Sequence, residues 1–241
     1  VPPGELGDNC LDKIIQKRRI SQQTTIKWGI ELCDALIYAN SKGMIAHRDL
    51  KPSNLMIAPE GVLKVTDFGL ALFSVDPTNR AVDISPSGTP VYMPPEQFQQ
   101  GANLDQRSDI YSFGIVLFEI LTGGHLPFRI GKTDPRNYFE YFHKLHLTYE
   151  LPKLDTTIYP VIERCLRKFP NQRYQSFKDI RHELSMLFEQ FTGKAFIPTT
   201  REEMNASEHN NYAVSYHMLG DMKRAGKHID LAIKAAPHYA P

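Results

Sequence analysis

Cysteine is scarce in this chain, and so is any imbalance of charge. Its 241 residues include three cysteines, Cys10, Cys33 and Cys165, with no CxxC pair. An odd, widely spaced set argues against a disulfide framework or a zinc ribbon and for a reducing, cytoplasmic compartment. The 28 Lys and Arg against 27 Asp and Glu leave a net charge of +1, so no bulk electrostatic argument favours nucleic acid or an anionic membrane. Long hydrophobic runs are also lacking. The longest, residues 110–121, is too short to span a bilayer and contains Glu119, so it reads as a buried helix. No secretory signal opens the chain, and no initiator Met does either; the first residues read as the interior of a longer protein. What remains, 41% hydrophobic and 23% charged, suits a folded domain of ordinary composition.

Periodicity places the elements. Ile26, Ile30, Cys33 and Ile37 recur at three- and four-residue spacing, which predicts a helix over 21–42. Ser21, Thr24 or Thr25 caps its start and Gly43 its end. Two short apolar runs, 55–58 and 62–66, are joined by Pro-Glu-Gly and read as a hairpin. Residues 68–100 carry too many Pro and Gly for a regular element and read as a long, functional loop. Helices follow from about 107 to Gly123-Gly124, then over 135–146, 157–167 and 176–191. A further short helix is expected around 11–17.

Residues 47–54, "HRDLKPSN", carry the chemistry together with Asp67. A hairpin returns its ends to one edge, so Asp67 comes back towards Asn54. A converging Asp and Asn offer hard oxygen ligands suited to Mg²⁺ held with substrate phosphates. Asp49 stands apart, placed to orient or deprotonate a hydroxyl. Lys51 can set a positive charge on a transferring phosphoryl group. Taken singly, each acid is an ordinary loop cap and Asn54 an ordinary turn residue; the order and spacing raise them above that. Other signals are weaker. "GKT" at 131–133 resembles the end of a phosphate-binding loop, but the pattern needs a glycine where this chain has Leu126. His143 and His146, three apart, read as a packed or solvated pair rather than zinc ligands.

The set resembles the catalytic half of a eukaryotic-type serine/threonine protein kinase. His47, Arg48, Asp49, Leu50 and Asn54 match the catalytic loop; Asp67, Phe68 and Gly69 match the metal-binding turn. "MPPE" at 93–96 stands where the family has "APE", and residues 108–123 resemble its central buried helix. "PNQRY" at 170–174 resembles a late element. The resemblance implies roles. Asp49 receives or orients the acceptor hydroxyl, Lys51 touches the γ-phosphate of ATP, and Asn54 and Asp67 hold Mg²⁺. Met56 lines the adenine floor, and Thr89 sits in the loop that receives the protein substrate. Arg48, Ser85 and Ser87 are candidate regulatory positions. Structural roles fall to His47 and Phe68, which stack, to Asp109 as an anchoring acid, and to Glu96 paired with Arg173.

The glycine-rich loop, the strand lysine and its helix glutamate have no match in the chain. The resemblance thus implies a C-lobe without its N-lobe, inactive or weak alone. Residues 211–241 are of another kind. Tyr216, Gly220, Ala225, Ile229, Ala232 and Pro237 fall at the spacing of a tetratricopeptide repeat of ~34 residues. The expected fold is mainly α within an α+β family: a kinase C-lobe with a small β-hairpin over 1–191, a linker over 192–210, and a helical hairpin of tetratricopeptide type over 211–241. The expected activity is ATP- and Mg²⁺-dependent transfer to Ser or Thr of proteins, with the repeat binding further partners. The rival expectation is a pseudokinase-type scaffold.

Overall fold

The computed structural model describes residues 9–68, 70–73, 88–132, 134–197 and 221–235, with His209, Ala213, Tyr216 and His217 besides. The chain divides into two compact units, Val1–Ile197 and Pro198–Pro241.

In the first unit, helix α1 (Leu11–Lys17) is followed by α2 (Gln22–Ser41). The Ser21 hydroxyl caps α2 by accepting the N–H of Thr24 at 3.1 Å, and Gly43 has φ 95°, the backbone freedom a helix exit uses. The hairpin forms as the turn chemistry requires. Strands β2 (Leu55–Ile57) and β3 (Leu63–Val65) run antiparallel, pairing Leu55 with Val65 and Ile57 with Leu63. Helix α2 holds this hairpin by its polar groups. Glu31 Oε2 accepts the N–H of Leu63 at 2.9 Å, and Lys27 Nζ and Trp28 Nε1 both donate to the Gly61 carbonyl, at 2.6 and 3.3 Å.

Two short strands escape the sequence pattern. Inside the stretch expected to be loop, β4 (Leu72–Phe73) pairs antiparallel with β1 (Met44–Ala46) across an irregular register. Two residues are too few to display an alternation, so the strand exists through its partner rather than through its own sequence. The same stretch holds a 3-10 turn at Pro95–Phe98, with proline at its first position, where the ring's fixed φ is tolerated.

Helix α3 (Gln106–Thr122) is the centre of the unit. Twelve of its seventeen residues are buried, which explains why its sequence is apolar all round rather than along one stripe. Asp105 caps it, accepting the N–H of Arg107 at 2.8 Å, and Gly123 closes it at φ 72°. Three helices follow: α4 (Tyr138–Thr148), α5 (Tyr159–Cys165) and α6 (Phe177–Thr192). α4 and α5 begin two to three residues later than the periodicity predicts. Residues Pro135–Asn137 form a 3-10 turn of their own ahead of α4. Ser176 and Asp179 form a reciprocal capping box on α6. α6 packs along α2, with an ion pair between Arg181 and Asp34.

The second unit contains α7 (Met222–Ala235), in which Ala225 is buried while Ile229 and Ile233 are about half exposed. Within it His228 lies 5.4 Å from the Tyr216 ring and faces His209, Nδ1 to Nδ1, at 3.1 Å. Gly220 and Pro237 lie outside the described residues. No described helix is long and apolar enough to cross a membrane.

The contact of α3 with α5 depends on a missing side chain. A Cβ on Gly114 would lie 2.8 Å from Cys165 Cβ and 2.9 Å from two Leu166 carbons. Gly114→Ala therefore overpacks this contact and is expected to lower stability by ~1–3 kcal/mol, read from the midpoint of urea denaturation. An unchanged midpoint would contradict this packing.

Candidate active site

Two residues with positive φ frame the site: Arg48 at 66° and Asp67 at 58°. Left-handed backbone at a non-glycine residue costs on the order of 1–3 kcal/mol and persists only where neighbours dictate it. For Arg48 those neighbours are visible. Asp109, at the start of α3, accepts the N–H of His47 at 2.7 Å on one oxygen and the N–H of Arg48 at 2.9 Å on the other. The Arg48 carbonyl accepts from Gln97 Nε2 at 2.8 Å, and its Nε–H is spent on the Leu70 carbonyl at 2.7 Å. His47 is fully buried, with its ring 5.1 Å from that of Phe68.

This frame delivers Asp49 into a network of donors. Oδ1 accepts the N–H of Thr89 at 3.0 Å and its hydroxyl at 2.9 Å. Oδ2 accepts from Lys51 Nζ at 2.7 Å and from Asn54 Nδ2 at 3.1 Å. Lys51 Nζ also donates to the Thr89 hydroxyl at 2.7 Å. Burial alone would push the Asp49 carboxyl up; the bonds from Lys51, Thr89 and Asn54 more than offset it and hold the group below its ordinary value. Asp49 is thus an ionised acceptor at neutral pH.

Asn54 spends its amide hydrogens on Asp49, one on the backbone carbonyl at 2.8 Å and one on Oδ2. That fixes the amide's orientation and leaves Oδ1 as an oxygen donor. The hairpin ties the second acid to it. Both the N–H and the hydroxyl of Thr66 bond the Asn54 carbonyl, at 2.9 and 3.0 Å, and Asp67 is the next residue. An amide oxygen and a carboxylate thus stand one residue from a shared hydrogen bond, a donor set that fits Mg²⁺. Met56 lies on β2, opposite Lys64 and bridged on its other side to Cys10.

Residues 89–92 are pinned from several directions. Beyond Thr89, the Pro90 carbonyl accepts from His146 Nε2 at 2.8 Å, the Tyr92 carbonyl accepts from the Ser112 hydroxyl at 2.7 Å, and the Tyr92 hydroxyl donates to Glu119 at 2.8 Å. His146 is fully buried, and burial lowers it to about 4; it is a neutral strut whose Nδ1 meets the Tyr111 hydroxyl at 2.9 Å. Its neighbour His143 stacks on Phe98 at 5.4 Å. Glu96 and Arg173 form a bidentate pair at 2.7 and 2.9 Å. The other donors of the buried guanidinium end on the carbonyls of Arg107, Arg167 and Lys168, so none of its five N–H groups goes unused.

A family model described as the protein kinase domain matches residues 4–196. The chain belongs to the protein kinase family. A probable serine/threonine-protein kinase of Clostridium acetobutylicum is 36% identical over 182 residues, covering 73% of this chain and 26% of its own length. The serine/threonine-protein kinase PknB of Mycobacterium leprae is 35% identical over 164 residues, 67% of this chain and 26% of its own. The CBL-interacting serine/threonine-protein kinase 9 of Arabidopsis thaliana is 38% identical over 122 residues, 51% and 27%. The chain spans about a quarter of the length of these curated relatives.

The kinase-like residues named from sequence meet here: Asp49, Lys51, Asn54 and Thr89 in one network, His47 and Arg48 on Asp109, and Glu96 on Arg173. Ser85, Ser87 and Gly69 lie outside the described residues. Sequence reasoning missed Gln97, Ser112, Glu119 and His146 as partners of the site. Of these, Glu119 carried a signal as a lone acid inside an apolar helix, and His146 as one of a pair read as packed or solvated; Gln97 and Ser112 carried none.

Glu119 also makes the 89–92 segment pH-sensitive. Burial pushes its carboxyl up to about 7, against the pull of the Tyr92 hydroxyl. The folded chain therefore holds this proton more tightly than the unfolded chain, and stability falls as pH rises between the ordinary glutamate value and about 7. Glu119→Gln keeps an acceptor for Tyr92 without the charge. From about pH 5 to about pH 8 the wild type is expected to lose ~1–3 kcal/mol relative to Glu119→Gln, measured by denaturation at both pH values. A constant difference would contradict the assignment.

Proposed function

We propose that this chain carries the catalytic C-lobe of a serine/threonine protein kinase, moving the γ-phosphoryl group of ATP to Ser or Thr hydroxyls of proteins. One observation carries the reading. Asp49 is bound simultaneously by Lys51, Asn54 and Thr89, which joins a hydroxyl acceptor, a phosphate cation and a metal ligand at a single carboxylate. The Thr89 hydroxyl on Asp49 stands in for an acceptor hydroxyl, and its distance of 2.9 Å is the reach a proton acceptor needs.

With its carboxyl held below the ordinary range, Asp49 is a weak base. Its part is to orient the acceptor hydroxyl and take the proton late, which suits a loose transition state with little bond formation to the nucleophile. Lys51 places its charge on the transferring group. Asn54 and Asp67 are the residues that would hold Mg²⁺, which, when bound, neutralises phosphate charge. Met56 provides an apolar floor for adenine, with Leu55 and Ile57 buried on the opposite face of β2. Thr89, held by Lys51 and Asp49, lines the place of the acceptor peptide. Arg48, Ser85 and Ser87 remain our regulatory candidates.

We assign the lobe to residues 1–191, a linker to 192–210 and a tetratricopeptide-type hairpin to 211–241. Buried Ala225 and the contact of His228 with Tyr216 support that hairpin, and the half-exposed Ile229 and Ile233 would face a partner. The three free cysteines suit the cytoplasm.

The test is phosphate incorporation from labelled ATP into a Ser/Thr-containing protein, using the full-length protein with and without Asp49→Ala. Incorporation is expected to fall by at least ~100-fold. Equal incorporation by both proteins would remove Asp49 from its role, and none by the wild type would favour a scaffold.

A further inference from the structure

Arg48 reaches its left-handed conformation through two dihedrals, and each belongs to a different peptide plane. The plane before its Cα carries the Arg48 N–H, which Asp109 holds at 2.9 Å; this fixes φ. The plane after it carries the Arg48 carbonyl and leads directly into Asp49; this plane sets ψ. Asp109 does not reach it. The side chain that does is Gln97, whose Nε2 donates to the carbonyl at 2.8 Å.

Gln97 is well placed to act as a fixed point. It is 3% exposed and sits in the 3-10 turn Pro95–Phe98, its own N–H bonded to the Pro94 carbonyl at 3.0 Å. The residue before it, Glu96, is locked to Arg173. One short turn therefore grips the late helical region with one side chain and the catalytic loop with the next. The substrate-side segment is shaped around the same bond. A Cβ on Gly88, which has φ 124°, would lie 2.9 Å from the Arg48 carbonyl oxygen and 3.0 Å from Gln97 Nε2. A side chain at 88 would thus intrude on this bond, immediately before Thr89 turns its N–H to Asp49.

We propose that Gln97 is a positioning residue for phosphoryl transfer: it fixes ψ of Arg48 and so holds the Asp49 carboxylate against Thr89. The proposal rests on the kinase reading above. It predicts an effect on turnover rather than on nucleotide binding, because the bond from Gln97 falls on the peptide plane that leads into Asp49. Without the amide donor, the plane between Arg48 and Asp49 loses its anchor, and small misplacements of a catalytic group are costly.

The experiment uses Gln97→Met, which keeps length and bulk but donates nothing, in the full-length protein. Two readouts are taken: kcat and KM for ATP, and hydrogen exchange of the Thr89 amide by NMR. The expected result is kcat lower by ~10- to 100-fold with KM for ATP changed less than about twofold. The Thr89 amide should exchange at least ~10-fold faster while amides within α3 keep their protection. If Gln97→Met fails to fold, Gly88→Ala, which crowds the same carbonyl, carries the same readouts and the same expectations. A folded variant with wild-type kcat and wild-type Thr89 exchange would overturn the proposal. If the wild type itself transfers no phosphate, the kinase reading fails, and the Thr89 exchange alone decides the role of Gln97.

Discussion

The two oxygens of one buried carboxylate, Asp109, each hold a consecutive backbone N–H, those of His47 and Arg48. The remainder of the site depends on this contact. Asp109 belongs to the first turn of the most deeply buried helix, so its position is set by the packing of the whole unit rather than by any loop. The 47–54 loop inherits that rigidity. With the N–H groups of His47 and Arg48 captured and the Arg48 carbonyl held by Gln97, Arg48 takes a left-handed backbone, the chain reverses, and Asp49 emerges facing Thr89, Lys51 and Asn54. Burial pushes the Asp109 carboxyl up to about 7 even though two N–H donors oppose the shift. The contact is therefore a balance of desolvation against charge-assisted hydrogen bonds.

Polar struts reinforce the hydrophobic contacts of the 89–92 segment. Thr89, Pro90 and Tyr92 are each held by a different partner: Asp49, His146, and the pair of Ser112 and Glu119. Gln97 and the Glu96–Arg173 pair brace the adjoining turn. Met93 is buried and Val91 and Tyr92 pack against the core. Directional bonds to α3 and α4 fix the backbone between them, at the cost of burying groups such as Glu119 and His146 away from water.

Much of this was legible in the sequence, for identifiable reasons. α2 announces itself through periodicity, a capping Ser and a glycine at the exit; α3 shows as an apolar run closed by Gly123-Gly124, and α6 through its periodicity. The hairpin follows from two apolar runs and Pro-Glu-Gly, and it places Asp67 near Asn54 by simple geometry. What escaped was whatever depends on a distant partner. β4 is two residues long and takes its strand character from β1. Gln97, Ser112 and His146 are unremarkable until the fold brings Arg48, Tyr92 and Pro90 to them. The positive φ of Arg48 runs against the preference of its residue type, and such local conflict concentrates where function is held by tertiary structure.

Asp109 sets the 47–54 loop by holding both N–H groups at once. A pH titration of the His47 and Arg48 amide resonances by NMR tests it most directly. Both amides are expected to shift together with one apparent pKa, raised by burial to about 7 and belonging to Asp109, and both shifts are expected to vanish in Asp109→Asn. Amides that titrate separately, or that keep their shifts in Asp109→Asn, would contradict this.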